Sequence, residues 1–478
     1  MMPSSPPLAT LVPWLQTQRW FSGKGQTFTG VEIVDQAVID GVLVMLLRLD
    51  GAAGGLWLAP VHADAAAWHD AFALPAWQRR LFDLVAHSGT LPLAHGQIVG
   101  HAAAALPASA PEARLVTAEQ SNTSLIYGDI AILKCYRRVV AGINPDIEIG
   151  QALASGPAAA LVPALLGSLA YHDAAGVVHS LGMLQAFEAN HGDAWQRLQH
   201  LLADLFVATA AIEPPDEATA EAMLARLSED AWHELARLGR LVGALHRALA
   251  AVPGPAFAPQ RFGREAAAAW IAGVWQAWHE TGALLAQYPA AAAQAGLTPA
   301  GWAGFEPALA RCLARVTELA DAGVALSRVH GDLHLGQILM SSRGPLVLDF
   351  EGEPLRPLHE RRAHASPLKD VAGMTRSLGY AATAAAFAGV PPHDAALRWA
   401  ERWRRQARAR FLAAYDDAAG ALPGLPADAA LRAAVLAAFE LERAIYEVRY
   451  EIANRPDWLQ IPLHGIRSAL HAAQGGSM

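Results

Sequence analysis

The chain has 478 residues, a formal net charge of −8, and 53% hydrophobic against 17% charged residues. That length exceeds a single compact core and suits two or three lobes, and the composition is globular rather than disordered. The acidic balance, with no long basic block, argues against nucleic acid and anionic membrane as main partners. Cys135 and Cys312 are the only cysteines. One pair is a poor disulfide framework for a chain this large, and a reducing cytoplasm fits it. The N-terminus lacks a basic segment followed by an apolar core, so no signal peptide is read. No run of about eighteen apolar residues marks a membrane span.

In chain order, residues 1–95 read as a distinct unit. It opens on Gln18-Arg19-Trp20-Phe21-Ser22-Gly23-Lys24-Gly25. The Arg19-Trp20-Phe21 patch carries enough aromatic surface to be buried at an interface. Val31–Val34 and Val42–Leu49 alternate as strands do. Trp77–Ala86 reads as a helix with Pro75 near its start. None of the candidate chemical groups precedes Gln120, so this unit is expected to be dispensable for the chemistry itself.

Residues 96–188 read as a β-rich unit. Leu125–Tyr136 forms a hairpin turning at Gly128-Asp129, and Asn144-Pro145-Asp146-Ile147-Glu148 opens a helix with Pro at the first position. Lys134 closes an apolar strand and Glu148 sits at the start of that helix. In kinase-like lobes a strand lysine contacts nucleotide phosphates and pairs with a helix glutamate. The alternative is an exposed strand lysine. The preceding arm, Gln120-Ser121-Asn122-Thr123-Ser124, favours the functional reading, because small hydroxyl residues and backbone N–H groups can cradle phosphates. Neither GxGxxG nor GxxxxGK[ST] is present. Val177–Ala186 is a further strand. Gln185-Ala186-Phe187 at its end would be the hinge between lobes, with backbone groups facing adenine.

Residues 189–478 read as mainly helical, aided by alanine runs such as Ala266–Ala269, with one β insertion. Its two arms carry the most informative pattern in the chain. His330-Gly331-Asp332-Leu333-His334-Leu335-Gly336-Gln337 is followed by the apolar run Pro345–Leu348 and then Asp349-Phe350-Glu351. Asp332 offers a base, Gln337 an amide oxygen and Asp349 a carboxylate. An acid against the acceptor hydroxyl, with an amide and a carboxylate holding magnesium, is the kit for phosphoryl transfer. His330 reads as structural, its ring bonded to backbone near the loop, although His330 and His334 also stand as candidate substrate contacts. The alternative, an ordinary polar turn beside a strand-end cap, does not explain both motifs at this spacing.

Pro423-Gly424-Leu425-Pro426 is a loop, and Leu431–Asn454 is one long helix. It carries Glu442, Tyr446 and Tyr450 at spacings of four, with Glu447, Glu451 and Arg455 in a neighbouring row. Trp458 follows. Acids that accept from hydroxyls and rings that cover apolar sugar faces suit a sugar acceptor. The alternative is a surface helix laced by charge pairs.

With these motifs placed, the chain resembles the bacterial maltokinases. The resemblance rests on Gln18–Gly25, Glu119–Ser124, Gly142–Glu148, His330–Gln337, Asp349-Phe350-Glu351-Gly352-Glu353-Pro354, Asp370-Val371-Ala372-Gly373-Met374, and Tyr446–Glu451 through Arg455-Pro456-Asp457-Trp458. It implies an α+β, bilobal, protein-kinase-like (aminoglycoside phosphotransferase-like) fold with an N-terminal cap and a mainly helical C-lobe. It further implies transfer of phosphate from ATP to the anomeric hydroxyl of maltose, giving maltose 1-phosphate on the route from trehalose to α-glucan, with trehalose synthase as a partner. By matching positions, Asp332 is the base, Gln337 and Asp349 are magnesium ligands, and Lys134 is the phosphate lysine. Actinobacterial glucosamine kinases share these motifs and would phosphorylate the 6-hydroxyl of glucosamine. A kinase-fold binding module without activity is a third reading, against which the intact Asp332, Gln337, Asp349 and Lys134 speak.

Overall fold

A computed structural model of the chain describes residues 10–472, apart from residues 25, 29, 52–53, 64–66, 118–120, 210–211, 354–355 and 389–393. Gly25, Glu119, Gln120 and Pro354 of the sequence motifs lie outside the described residues. The chain divides into two compact units, Met1–Ala189 and Asn190–Met478.

The first unit holds two sheets. Strands β1 (Gly30–Ile39), β2 (Val42–Asp50), β3 (Gly55–Ala63) and β4 (Trp68–Asp70) are antiparallel neighbours. The second sheet contains β5 (Thr90–Pro92), β6 (Gln97–Ala102), β7 (Ala113–Leu115), β8 (Asn122–Tyr127) and β9 (Ala131–Tyr136). β10 (Arg138–Val139) pairs with β3 in the first sheet, while β11 (Leu165–His172) and β12 (Val178–Ala186) complete the second in the order β5-β6-β11-β12-β9-β8-β7. Helix α1 (Leu11–Thr17) precedes the first sheet, α2 (Pro75–Ala86) joins the two sheets, and α3 (Pro145–Ala152) follows β10. Pro75 takes the first helical position of α2, as expected. The hairpin turns through Gly128, and Tyr127 faces Ala131 across it. At the start of α3, Asn144 accepts a hydrogen bond from the Asp146 N–H with Pro145 next in line, so this short helix begins where the sequence placed it.

Strand β2 is apolar on both faces for a physical reason. Side chains alternate across a strand, and here each row meets a different core. Val42, Val44 and Leu46 pack with Phe72, Trp77, Phe82, Leu125, Leu133 and Leu184. Met45, Leu47 and Leu49 pack with Leu11, Leu15, Trp20, Phe21, Trp57 and Trp68. The first of these cores crosses the expected boundary at residue 95, so residues on either side of it share one interior. Trp20 and Phe21 are buried as expected, whereas Arg19 of the same patch is exposed.

The second unit is mainly helical. Helices α4 (Ala194–Thr209), α5 (Glu217–Leu227), α6 (Glu229–Ala251), α7 (Arg264–Gln287), α8 (Pro289–Gln294), α9 (Pro299–Ala303) and α10 (Glu306–Asp321) come before the β insertion. Helices α11 (Leu358–Arg361), α12 (Leu368–Ala388), α13 (Asp394–Ala419), α14 (Ala429–Asn454) and α15 (Gln460–Ala472) follow it. Residues 190–193 form strand β13 (Asn190–Asp193). A short ribbon pairs β14 (Gln260–Arg261) with β15 (Ala325–Leu326). The insertion itself is the hairpin of β16 (Ile338–Ser341) and β17 (Gly344–Val347), with β13 on its open edge. No helix among the described residues is long and apolar enough to cross a membrane.

Candidate active site

The two acidic motifs flank the β16–β17 hairpin, which brings their ends together. Leu348 is the clasp. Its carbonyl accepts from His330 Nε2 at 2.8 Å, and its N–H donates to the Gln337 carbonyl at 2.9 Å. Gln337 Nε2 then donates to Asp349 Oδ2 at 3.0 Å, so the expected amide and carboxylate are direct neighbours. Asp349 sits at φ +64, a left-handed conformation that costs a non-glycine residue about 1–2 kcal/mol and is found where function fixes the backbone.

The donor set fits a hard cation. Asp349 and Glu351 bring carboxylate oxygens within 4.8 Å of one another. The bond from Gln337 Nε2 to Asp349 leaves Oε1 as the amide atom for an ion. Oxygen ligands alone, two of them anionic, are what Mg²⁺ prefers.

The loop before the hairpin is tied down from below by Asp370, at the start of α12. This buried carboxylate accepts the N–H groups of His330 and Gly331, each at 2.8 Å, and His246 Nε2 at 3.0 Å. The hydroxyl of Tyr415 meets His246 Nδ1 at 3.0 Å. Burial alone would raise the Asp370 pKa, but the bonds from His246 and the loop outweigh it and hold the carboxyl below its usual range. Gly331 lies at φ +88, which a side chain would strain. Gly373, one turn into α12, lets the helix approach closely, since a Cβ there would meet the Leu333 carbonyl oxygen.

Asp332 projects from this loop and pairs with Arg443 of α14, Nη1 to Oδ1 at 2.8 Å. Arg443 lies 4.0 Å from Glu447, whose carboxylate is gripped by Arg376 of α12. His330 is corrected here as a substrate contact. It is buried, its Nε2 is held by Leu348, and its Nδ1 accepts from the Asp332 N–H at 3.3 Å. The structural role is the one realised. His334 caps the turn Leu335–Gln337 through Nδ1, and its pKa is lowered, chiefly by burial.

Beside Gly331 and Gly352 opens a cavity of about 270 Å³, walled in part by Trp270, Glu353, Arg356, Lys369, Phe439 and Glu442. Trp270 Nε1 donates to Glu442 at 3.2 Å, and Arg356 approaches the same carboxylate at 3.6 Å. Burial pushes the Glu442 carboxyl upward despite Lys369 and Arg356 nearby.

The other acceptor candidates divide. Tyr446 and Tyr450 are exposed on α14. Tyr450 is seven residues beyond Arg443, about 10 Å along a helix. Glu451 is corrected as a sugar ligand: it is buried and both its oxygens accept from Arg455, at 2.9 and 2.8 Å. Arg455 is thereby committed too, and its guanidinium lies 4.6 Å from the Trp458 ring. Trp458 stands edge-on to Phe387, beyond the end of α14. The charge-pair alternative for this row thus holds at Glu451–Arg455.

In the first unit, Lys134 Nζ lies 3.2 Å from Asp146 Oδ2, two residues before Glu148 on the same helix. Ser124 faces Lys134 across the hairpin, and both Ser124 and Thr123 are buried. Thr123 is corrected as a phosphate contact, because its hydroxyl accepts from Arg137 Nε at 2.7 Å. Asn122 begins β8 and Ser121 lies just before it. The expected hinge is corrected in one respect. The Phe187 N–H already donates to Ile130 and the Ala186 N–H to Ala164, so neither faces a ligand. Gln185 is held in β12 opposite Ile132.

Arg443, Asp370, His246 and Arg376 were not picked out as site residues in the sequence. Asp370 stood within a motif without a role. Arg443 offered one signal, its spacing of four from Glu447.

Residues 222–353 match the family model described as the phosphotransferase enzyme family, and residues 14–80 match the maltokinase N-terminal cap domain. A glucosamine kinase from Streptacidiphilus jiangxiensis is 28% identical over 354 residues, covering 73% of this chain and 71% of that protein. One from Mycolicibacterium smegmatis is 28% identical over 362 residues, covering 73% and 77%. Among solved structures, a glucosamine kinase in complex with glucosamine, ADP and inorganic phosphate aligns with a TM-score of 0.66 at 22% identity, covering 97% of this chain and 99% of that one. A second crystal form of a glucosamine kinase gives 0.67 at 23% identity, covering 96% and 97%. Segments matching the maltokinase N-terminal cap domain and the phosphotransferase enzyme family thus stand on one chain, which shares the fold of the glucosamine kinase structures.

Proposed function

We propose that this protein is an ATP-dependent sugar kinase. The observation that carries the reading is the bond between Gln337 and Asp349 across two loops clasped at Leu348, one of which also carries Asp332, with a polar and aromatic cavity beside the same loop. Asp332 orients the acceptor hydroxyl and takes its proton late, as the oxygen bonds to the γ-phosphorus and ADP departs. Gln337, Asp349 and Glu351 would hold Mg²⁺, which would neutralise charge on the phosphates. Lys134 serves the phosphates from the β9 strand, and Asp146 or Glu148 orients it.

Maltose, phosphorylated at its anomeric hydroxyl, is the acceptor supported by the maltokinase-type cap and by the exposed Tyr446 and Tyr450. The pairing of Glu440 with Arg408, Glu447 with Arg376 and Glu451 with Arg455 also suits a neutral sugar. Glucosamine is a second reading, favoured by relatives of that name aligned over 73% of the chain. Glu442, the acid of α14 with the longest cation approach, at 3.6 Å, would serve its ammonium. Sugar-dependent ADP release measured with maltose, glucosamine, glucose and trehalose tests both. One of the first two should exceed the others in kcat/KM by at least tenfold. No sugar-dependent release with any of them overturns the proposal.

A further inference from the structure

We infer that Arg443 is the positioning residue for the base Asp332, and that it acts as the near end of an alternating charge chain, Asp332–Arg443–Glu447–Arg376, which fixes one carboxylate oxygen and leaves the other for the acceptor. This rests on the kinase reading above. The bond engages Oδ1. Among the described residues no other side chain holds this carboxylate, so Oδ2 is the oxygen turned to a hydroxyl.

Arg443 does not stand alone. Glu447 lies one helical turn on, and Arg376 reaches it from α12 through both Nε and Nη2. Arg376 and Glu447 are nearly buried, with side-chain exposures of 11% and 12%, so this anchor is shielded from solvent and salt. Arg443 itself is held between two carboxylates, and their attraction outweighs burial to keep it charged. An arginine so placed has lost most of its rotamer freedom before the substrate arrives. It therefore restrains Asp332 at little further entropic expense, which is how preorganised sites gain rate.

The functional consequence is orientation: an aspartate on a loop has two free side-chain torsions, and one fixed oxygen removes most of that freedom. The other charged or titratable groups near this loop are His330 and His334 on it, Tyr446 and Glu447 on α14, Asp349 and Glu353 after the hairpin, and Asp370 beneath the loop backbone. Among the described residues Arg443 is the group that bonds the Asp332 side chain.

The test uses the full-length protein and the variants R443M, R443K and E447Q, each first checked for an unchanged circular dichroism spectrum. The best acceptor is used. R443M should lower kcat at least tenfold while KM for ATP stays within about twofold. R443K keeps the charge but not the planar fork, so kcat should fall only part of the way, a rescue that a merely structural role would not give. E447Q should loosen the chain and give a smaller loss of kcat. Nitrogen-15 NMR of the Arg443 guanidinium, assigned with R443K, reads the bond to Asp332 without any substrate, through the movement of its signal in D332N. A guanidinium signal unchanged in D332N, or a raised sugar KM with kcat unchanged in R443M, overturns the inference. An absence of sugar-dependent turnover in wild type, with the guanidinium signal still moved in D332N, instead discards the kinase reading and leaves the Arg443–Asp332 coupling standing.

Discussion

Asp70, partly exposed, pairs with the buried Arg137 and fastens the N-terminal cap to the end of the β8–β9 hairpin. Oδ2 of Asp70 accepts from Arg137 Nη2 at 2.5 Å and from Trp20 Nε1 at 2.9 Å. The Arg137 guanidinium is fully buried, lies between the rings of Trp20 and Phe72 at 4.3 and 4.1 Å, and donates onward to Thr123. A charge in that position is tolerable only while its partner remains.

Asp70→Asn keeps the shape and removes the countercharge. It should destabilise the protein by about 3–5 kcal/mol, read as a lower midpoint in urea. A midpoint within error of wild type would show that Arg137 is compensated elsewhere.

Asp332→Asn should cut kcat by about 10²–10⁴-fold and leave ATP affinity unchanged by calorimetry. Retention of more than about a third of wild-type kcat would remove Asp332 from the role of base.

Asp349→Asn takes one negative charge from the proposed cation ligands. The Mg²⁺ concentration giving half-maximal rate should rise at least tenfold, about 1.4 kcal/mol. Identical Mg²⁺ titrations for mutant and wild type would rule out Asp349 as a ligand.

Asp370→Asn tests the support of the loop, and its effect depends on pH. The folded-state pKa of Asp370 is depressed. Its stabilising contribution is therefore complete above the unfolded value, about 3.9, and is lost as pH falls through the folded value. The variant should lose about 1.5–3 kcal/mol for each charge-assisted bond weakened. The gap in Tm between it and wild type should be full at pH 7 and should close in acid, below about pH 4. A gap that stays constant into strong acid would contradict this linkage.

Local signals were legible where local physics decides. The Asn144-Pro145 helix start, the Gly128 hairpin and the Pro75 helix start each follow from one or two residues, and the structure has them all. The pairing of Gln337 with Asp349 was legible because a single hairpin separates them. The pairs that tie the site together were not. Asp70 and Arg137 are 67 residues apart, Asp332 and Arg443 are 111 apart, and His246 and Asp370 are 124 apart. Helical spacing suggested local partners for the acids of α14. It was right for Glu451, whose cation is four residues away, and it missed Arg376, which reaches Glu447 from another helix. Thr123 misled because alternation along β8 turns its hydroxyl to Arg137, away from the face that Ser124 shares with Lys134.

Strand β2, with one row of side chains in each of two interiors, makes those interiors melt as one. Pulling it away would strip Val44 and Leu46 from one core and Met45 and Leu47 from the other in the same event. The first unit should therefore behave as a single foldon. Amides of β2, β3 and β9 should exchange with solvent at a common free energy, and a chain cut at residue 95 would begin its life with a torn hydrophobic wall.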